Sequence, residues 1–168
     1  VDPKLLKLEV TESMFVQDTE EVIHVFRQLK KLGIQIALDD FGTGYSSFGY
    51  LKSLPLDIVK IDRSLVSSID INIKEKMIVE SLVTILHGLG LSVVIEGIET
   101  IAQFHHVAAL NPDYIQGYLI SKPMNEEDLL EYLTTDHKNE SLHLVFDLLP
   151  PVAPSTQLGT KTNFNKFS

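Results

Sequence analysis

Apolar residues along this chain alternate between two rhythms. Residues 5–10 (Leu-Leu-Lys-Leu-Glu-Val) form a short apolar run that predicts a buried strand. After a polar turn, Val22, Val25, Phe26, Leu29 and Leu32 recur at helical spacing. Asp18 with Glu21 fits a capping box for that helix, and Gly33 stops it. Residues 34–38 predict a second strand, residues 41–50 a loop rich in Gly and Ser, and residues 56–61 a third strand.

Ile78, Leu82, Ile85, Leu86 and Leu89 mark the longest amphipathic helix, ended by Gly88 and Gly90. Residues 91–95 predict a fourth strand. Thr100 and Gln103 form a second capping box, opening a helix that runs to about Leu110. Residues 113–115 predict a short fifth strand, and Asn125 caps a last helix through Leu133. From about Asp136 the pattern decays. Residues 142–149 can pack as helix or strand, and residues 150–168, rich in Pro, Thr, Ser and Asn, read as a flexible tail. The expected organisation is one α/β domain over residues 1–134 and a partly flexible C-terminal extension over residues 135–168.

Strand-then-helix units of roughly 20 to 35 residues predict parallel strands joined by right-handed crossovers. Either a doubly wound sheet or part of a (β/α) barrel satisfies them. No Gly-x-Gly-x-x-Gly pattern follows a strand, which counts against a dinucleotide-binding version.

Composition narrows the function classes. The chain has 168 residues, 44% of them hydrophobic and 22% charged, enough for one soluble domain with a sizeable core. Its longest aliphatic runs are far too short to span a bilayer, and no signal-peptide pattern opens it. With no cysteine there are no disulfides, thiol nucleophiles or thiolate metal sites, a composition compatible with the cytoplasm. A net charge of −9 argues against non-specific nucleic-acid binding. An anionic ligand would need positive charge from outside the chain, and bound divalent cations are the simplest source.

Each predicted strand ends in a group able to do chemistry. Glu9 closes the first, Asp39 and Asp40 the second, Lys60 and Asp62 the third, Glu96 the fourth and Gln116 the fifth. In parallel α/β folds the carboxyl ends of the strands carry the active site. Taken singly, these residues read as turn caps, solvated rim groups or a Lys60–Asp62 surface pair. Together they place several carboxylates on one rim without His or Cys, a donor set for Mg²⁺ or Mn²⁺ rather than zinc. The adjacent Asp39 and Asp40 fit a two-metal site of the kind that hydrolyses phosphodiesters.

At these positions the sequence resembles a known family. Leu8-Glu9-Val10-Thr11-Glu12-Ser13, Asp39-Asp40-Phe41-Gly42-Thr43-Gly44-Tyr45-Ser46-Ser47 and Lys60-Ile61-Asp62-Arg63-Ser64 are similar to successive signatures of EAL domains, the cyclic dimeric GMP phosphodiesterases. Glu96-Gly97-Ile98-Glu99-Thr100, Gln116-Gly117-Tyr118 and Ser121-Lys122-Pro123-Met124 continue the series in order. The resemblance implies a TIM-type (β/α) barrel, incomplete here, with about five parallel strands. It also implies that Glu9 and Asp39 ligate a first metal, that Asp40 holds a second, and that Lys60 and Glu96 act on the metal-bound water. Gln116 would contact substrate, Glu12 and Asp62 would support the rim loops, and Glu99 would pair with the rim. The family's Glu-Ala-Leu tripeptide, an asparagine ligand and a phosphate-binding arginine belong to strands that would precede Val1.

The expectation is therefore the C-terminal portion of a phosphodiesterase domain that converts cyclic dimeric GMP to linear pGpG, inactive by itself. A catalytically silent nucleotide-binding or regulatory module is the alternative. Expected partners are the cyclic nucleotide, a second copy of the chain, and sensory or signalling domains upstream, through which the parent could be membrane-anchored.

Overall fold

Ile36, Leu38, Val59, Ile61, Val93 and Ile95 are 0% exposed, and they alternate with Ala37, Ile58 and Val94, which form a buried cluster of their own. Since successive side chains of a strand point to opposite faces, both faces of these strands are covered, as parallel sheets require. The computed structural model describes residues 1–15, 19–44 and 48–134.

The strands are β1 (Lys7–Thr11), β2 (Gln35–Phe41), β3 (Ile58–Ile61), β4 (Ser92–Ile95) and β5 (Tyr114–Ile115), joined through α1 (Thr19–Leu32), α2 (Phe48–Leu51), α3 (Ile73–Gly88) and α4 (Ile101–Ala108), with α5 (Glu126–Thr134) last. All neighbouring strands pair in parallel, in the order β1-β2-β3-β4-β5. A doubly wound sheet reverses direction at a switch point. This one does not, so the barrel alternative is the one realised.

The sheet also curls. Lys7 on β1 and Tyr114 on β5 belong to opposite edges, which in a flat sheet would stand about 19 Å apart at the usual interstrand spacing. The Lys7 ammonium nevertheless lies 6.0 Å from the centre of the Tyr114 ring. The described strands are thus an open arc of a TIM-type (β/α) barrel, with β1 and β5 as its two edges.

Local signals explain the element boundaries. Thr100 Oγ1 accepts from Gln103 N–H while Gln103 Oε1 accepts from Thr100 N–H, the reciprocal capping box the spacing predicts. Asn125 Oδ1 accepts from Asp128 N–H and opens α5. The proposed Asp18 cap, the loop residues 45–47 and everything from residue 135 lie outside the described residues.

The first strand starts at Lys7 rather than Leu5 and only its Val10 is buried, because it is an edge strand with one partner among the described residues. Two further expectations need correction. The face of α3 that packs on the sheet is Val79, Leu82, Val83 and Leu86, whereas Ile78, Ile85 and Leu89 are exposed. This helix is apolar on most of its circumference, so periodicity alone selects no face, and the sheet takes the stripe one residue round. Second, Phe41 belongs to β2 and not to the following loop, because it pairs with Ile61 beyond an irregularity in the ladder. Burial explains the extension: Phe41 is 1% exposed.

Candidate metal and phosphodiester site

One ammonium gathers the rim. Lys60 Nζ lies 2.8 Å from Glu96 Oε1, 2.9 Å from Asp39 Oδ1 and 3.2 Å from Glu9 Oε1. These groups come from β1, β2, β3 and the residue after β4, so the curl of the sheet brings together positions far apart in sequence. Lys60 is buried, Glu96 and Asp39 are mostly covered, and Glu9 is half-exposed. Burial pushes the lysine's pKa down, but its contacts with Glu96, Asp39 and Glu9 outweigh that and hold it well above the ordinary lysine range. Lys60 is therefore a fixed cation, and its pairing with Asp62 does not occur.

The second strand contains the device that makes an Asp-Asp pair useful. Leu38 pairs with Val59 and Phe41 with Ile61, so Asp39 and Asp40 together stand opposite the single residue Lys60. Adjacent residues of a regular strand point to opposite faces. A bulge that sets two residues against one bends the strand and re-aims a side chain, and such bulges concentrate beside active sites. Asp40 accommodates it with φ +55°, a left-handed conformation in which Asp is enriched. Its carbonyl accepts from Thr43 N–H and Thr43 Oγ1–H, closing a tight turn at Gly42.

The donor set has the chemistry of a site for a hard divalent cation. Asp39 Oδ1 is buried and makes no hydrogen bond, so its 2.9 Å approach to Lys60 is a charge contact without hydrogen-bond alignment. Three carboxylates around one ammonium leave two negative charges uncompensated, which a divalent ion would neutralise. Oxygen-only donors match Mg²⁺ or Mn²⁺. Among the described residues no three acidic or histidine side chains stand arranged to chelate a metal ion, and the point on which Glu9, Asp39 and Glu96 converge holds the Lys60 ammonium. The chemistry fits; the ammonium competes for the position.

Beside this cluster opens a cleft of about 470 Å³ whose walls include Arg63, Glu96, Glu99, Gln116, Tyr118 and Lys122. Gln116 N–H donates to Ile95 O, and its carbonyl accepts from Ile98 N–H, so the backbone after β5 is fixed against the loop after β4. Glu99 sits 3.5 Å from Arg63 Nη1. Asp62 caps the 3₁₀ turn Arg63–Leu65 by accepting from Ser64 N–H. Partial burial raises its carboxyl pKa, but those hydrogen bonds lower it more. The Glu12 carboxylate lies against Gly44 at the start of the loop after β2.

This geometry corrects in part the expectation that positive charge for an anionic ligand must come from outside the chain. Arg63 and Lys122 supply cations to the cleft, with the Lys122 ammonium 5.8 Å from the Tyr118 ring centre. Sequence reading assigned neither a role. Their signal was positional: Arg63 lies just beyond β3 and Lys122 in the segment that follows β5, at the carboxyl ends of the strands where functional groups collect.

The family model described as "EAL domain" matches residues 1–123. The cyclic di-GMP phosphodiesterase NbdA of Pseudomonas aeruginosa is 36% identical over 152 residues, covering 90% of this chain but only 18% of that protein. Among solved structures, the PaMucR phosphodiesterase in complex with c-di-GMP superposes with a TM-score of 0.72 at 40% identity, over 77% of this chain and 52% of that one. The manganese and cyclic di-GMP complex of Klebsiella pneumoniae BlrP1 gives 0.66 at 32% identity, over 70% of this chain and 30% of that one. This chain therefore spans about half of one matched structure, less than a third of the other and under a fifth of the matched relative. Because the matched segment runs unbroken from β1 past β5 and holds every rim residue described above, the chain belongs to the EAL domain family.

Proposed function

We propose that the protein carrying this chain hydrolyses cyclic dimeric GMP to the linear dinucleotide pGpG, with this chain supplying one arc of the catalytic barrel. The observation that carries the reading is the ring of Glu9, Asp39 and Glu96 around Lys60. Family membership and the cyclic di-GMP named for the relatives support the substrate.

In this reading Glu9, Asp39 and Asp40 hold Mg²⁺ or Mn²⁺, and the manganese named for one matched structure supports that choice. Divalent ions held by these carboxylates would supply activation of water and neutralisation of charge on the phosphoryl oxygens. Lys60, charged and immobilised by its carboxylate neighbours, orients the attacking water from one side. Glu96 Oε1 is close enough to the same position to accept the proton as the new P–O bond forms and the P–O3′ bond breaks. The departing 3′ oxygen takes up a proton from solvent water to become the free hydroxyl, and Glu96 returns its proton to solvent. Gln116 and Arg63 contact the nucleotide along the cleft. Glu12, Asp62 and Glu99 keep the flanking loops in place. The remaining ligands come from the part of the barrel this arc does not contain, so the 168 residues alone are inactive.

The test is turnover by the complete natural protein with Mg²⁺ or Mn²⁺. Glu96→Gln should lower kcat by about 10²-fold or more, the usual scale for a lost general base, while nucleotide binding survives. A complete protein that binds the nucleotide tightly and never cleaves it with any metal tried would favour a silent receptor instead.

A further inference from the structure

Gln103 is a buried side chain, 7% exposed, whose two ends bind different loops. Its Oε1 accepts from Glu99 N–H at 2.9 Å and from Thr100 N–H at 3.0 Å, in the loop after β4. Its Nε2 donates to Ser67 O at 3.2 Å, in the loop after β3. One loop carries Glu96 and Glu99 and the other Asp62 and Arg63, all of which line the cleft. They touch again at Gly97, where φ is +75° and an added Cβ would stand 2.1 Å from Arg63 Cβ.

Helix capping does not account for the whole arrangement. A capping box needs only an acceptor at the third helical position, and glutamate serves there as well as glutamine. The donor end reaching Ser67 has no part in capping. A carboxylate can only accept, whereas the amide accepts at the helix start and also donates to the neighbouring loop.

We propose that Gln103 is a positioning residue that ties the Arg63 loop to the Glu96 loop and so sets the width of the cleft. The tie itself stands on geometry; its effect on substrate rests on the functional reading above. Losing the donor end should loosen only the Arg63 wall, because the acceptor end still holds Glu99 and Thr100. Substrate binding should suffer while the group placed for proton transfer keeps its position.

The decisive variant is Gln103→Glu in the complete natural protein, which retains the cap and removes the donor. The Leu65 and Val66 N–H groups, bonded to Asp62 O and Arg63 O, report on the Arg63 loop. Their hydrogen exchange should quicken about tenfold as that loop opens locally. With Mn²⁺ present, KM for cyclic dimeric GMP should rise about fivefold while kcat stays within about twofold, the pattern of lost ground-state binding. Unchanged exchange overturns the tie, and faster exchange with unchanged KM overturns its role in positioning. If Gln103→Glu does not fold, Gln103→Met is compared with Thr100→Ala, which weakens the cap alone; equal exchange at Leu65 and Val66 then overturns the tie. A wild-type protein that turns over no nucleotide sinks the functional reading instead, and the exchange measurement still decides whether Gln103 joins the two loops.

Discussion

Asp57 and Asp113 hold equivalent places in two β/α units. Each immediately precedes a strand, accepts from a backbone N–H on the neighbouring strand, and meets a basic side chain on the helix leading into that neighbour. Asp57 Oδ2 accepts from Ile36 N–H at 2.8 Å and its other oxygen pairs with Lys30. Asp113 Oδ2 accepts from Val93 N–H at 2.7 Å and lies 2.9 Å from His87 Nε2. Both staples lie at the amino ends of the strands, away from the rim of Glu9, Asp39, Lys60 and Glu96, where barrel residues serve stability. Asp57→Ala and Asp113→Ala should each destabilise the fold by about 1.5–3 kcal/mol, the range for hydrogen bonds to charged groups, with the more exposed Asp113 at the low end. Urea unfolding checks this, and a change under about 0.5 kcal/mol, typical of ordinary surface substitutions, would contradict it.

The same staple gives a pH dependence of known sign. Partial burial raises the Asp113 carboxyl pKa, but the Val93 N–H bond and the His87 contact lower it more, leaving it below its ordinary value. A carboxyl with a depressed folded pKa binds fewer protons folded than unfolded, so stability rises with pH through that range. The contribution is complete above the unfolded pKa of about 3.9 and is lost as pH falls through the lower folded value. Asp62 is shifted in the same direction. Urea midpoints measured downward from pH 6 should therefore drop, and Asp113→Asn should shallow the drop without abolishing it. An identical acid profile for wild type and Asp113→Asn would refute the assignment.

Much of this was legible in sequence because the strands are short apolar runs ending in polar groups, and capping signals such as Thr100 with Gln103 act locally. What stayed hidden depends on partners distant in the chain. The Asp39–Asp40 bulge exists only in the ladder with β3, and no property of those two residues announces it. The packed face of α3 was ambiguous because Ile78 and Ile85 are as apolar as Val79 and Leu86. Asp57 and Asp113 fell inside the predicted strands, and nothing marked them as staples until the sheet brought Ile36 and Val93 against them. Gln103 was read through its capping end alone, and its second partner, Ser67, belongs to another loop.

The open edges predict association. β1 and β5 each have one strand partner among the described residues, and Leu5, Leu6, Leu8 and Tyr114 are exposed along them. Unpaired edges beside apolar side chains invite pairing with another copy. The isolated chain should self-associate, and its melting temperature should rise with concentration, as for any fold stabilised by its own partner. Light scattering across a hundredfold dilution tests this; a compact monomer that melts cooperatively at one temperature throughout would end the idea.

Lys60 should act in opposite directions on metal binding and on turnover. Its ammonium lies among Glu9, Asp39 and Glu96, so a divalent ion entering the site must compete with a cation held there by three carboxylates. Mn²⁺ should therefore bind the chain weakly, through Asp39 and Asp40, and calorimetric titration should show binding reduced in Asp39→Asn and in Asp40→Asn. Lys60→Ala removes the competitor and leaves the carboxylates facing one another, a loss of up to about 3–5 kcal/mol for a fully buried pair and less here because Glu9 is half-exposed. In that variant Mn²⁺ should bind more tightly and raise the melting temperature by more than it does in wild type, since stabilisation follows RT ln(1 + [L]/Kd). Turnover by the complete protein should move the other way, falling by about 10²-fold when a preorganised cation is lost. If Lys60→Ala binds Mn²⁺ no better than wild type, the ammonium does not compete for the metal position. If it binds better and also keeps its turnover, Lys60 is a structural counter-ion with no part in the reaction.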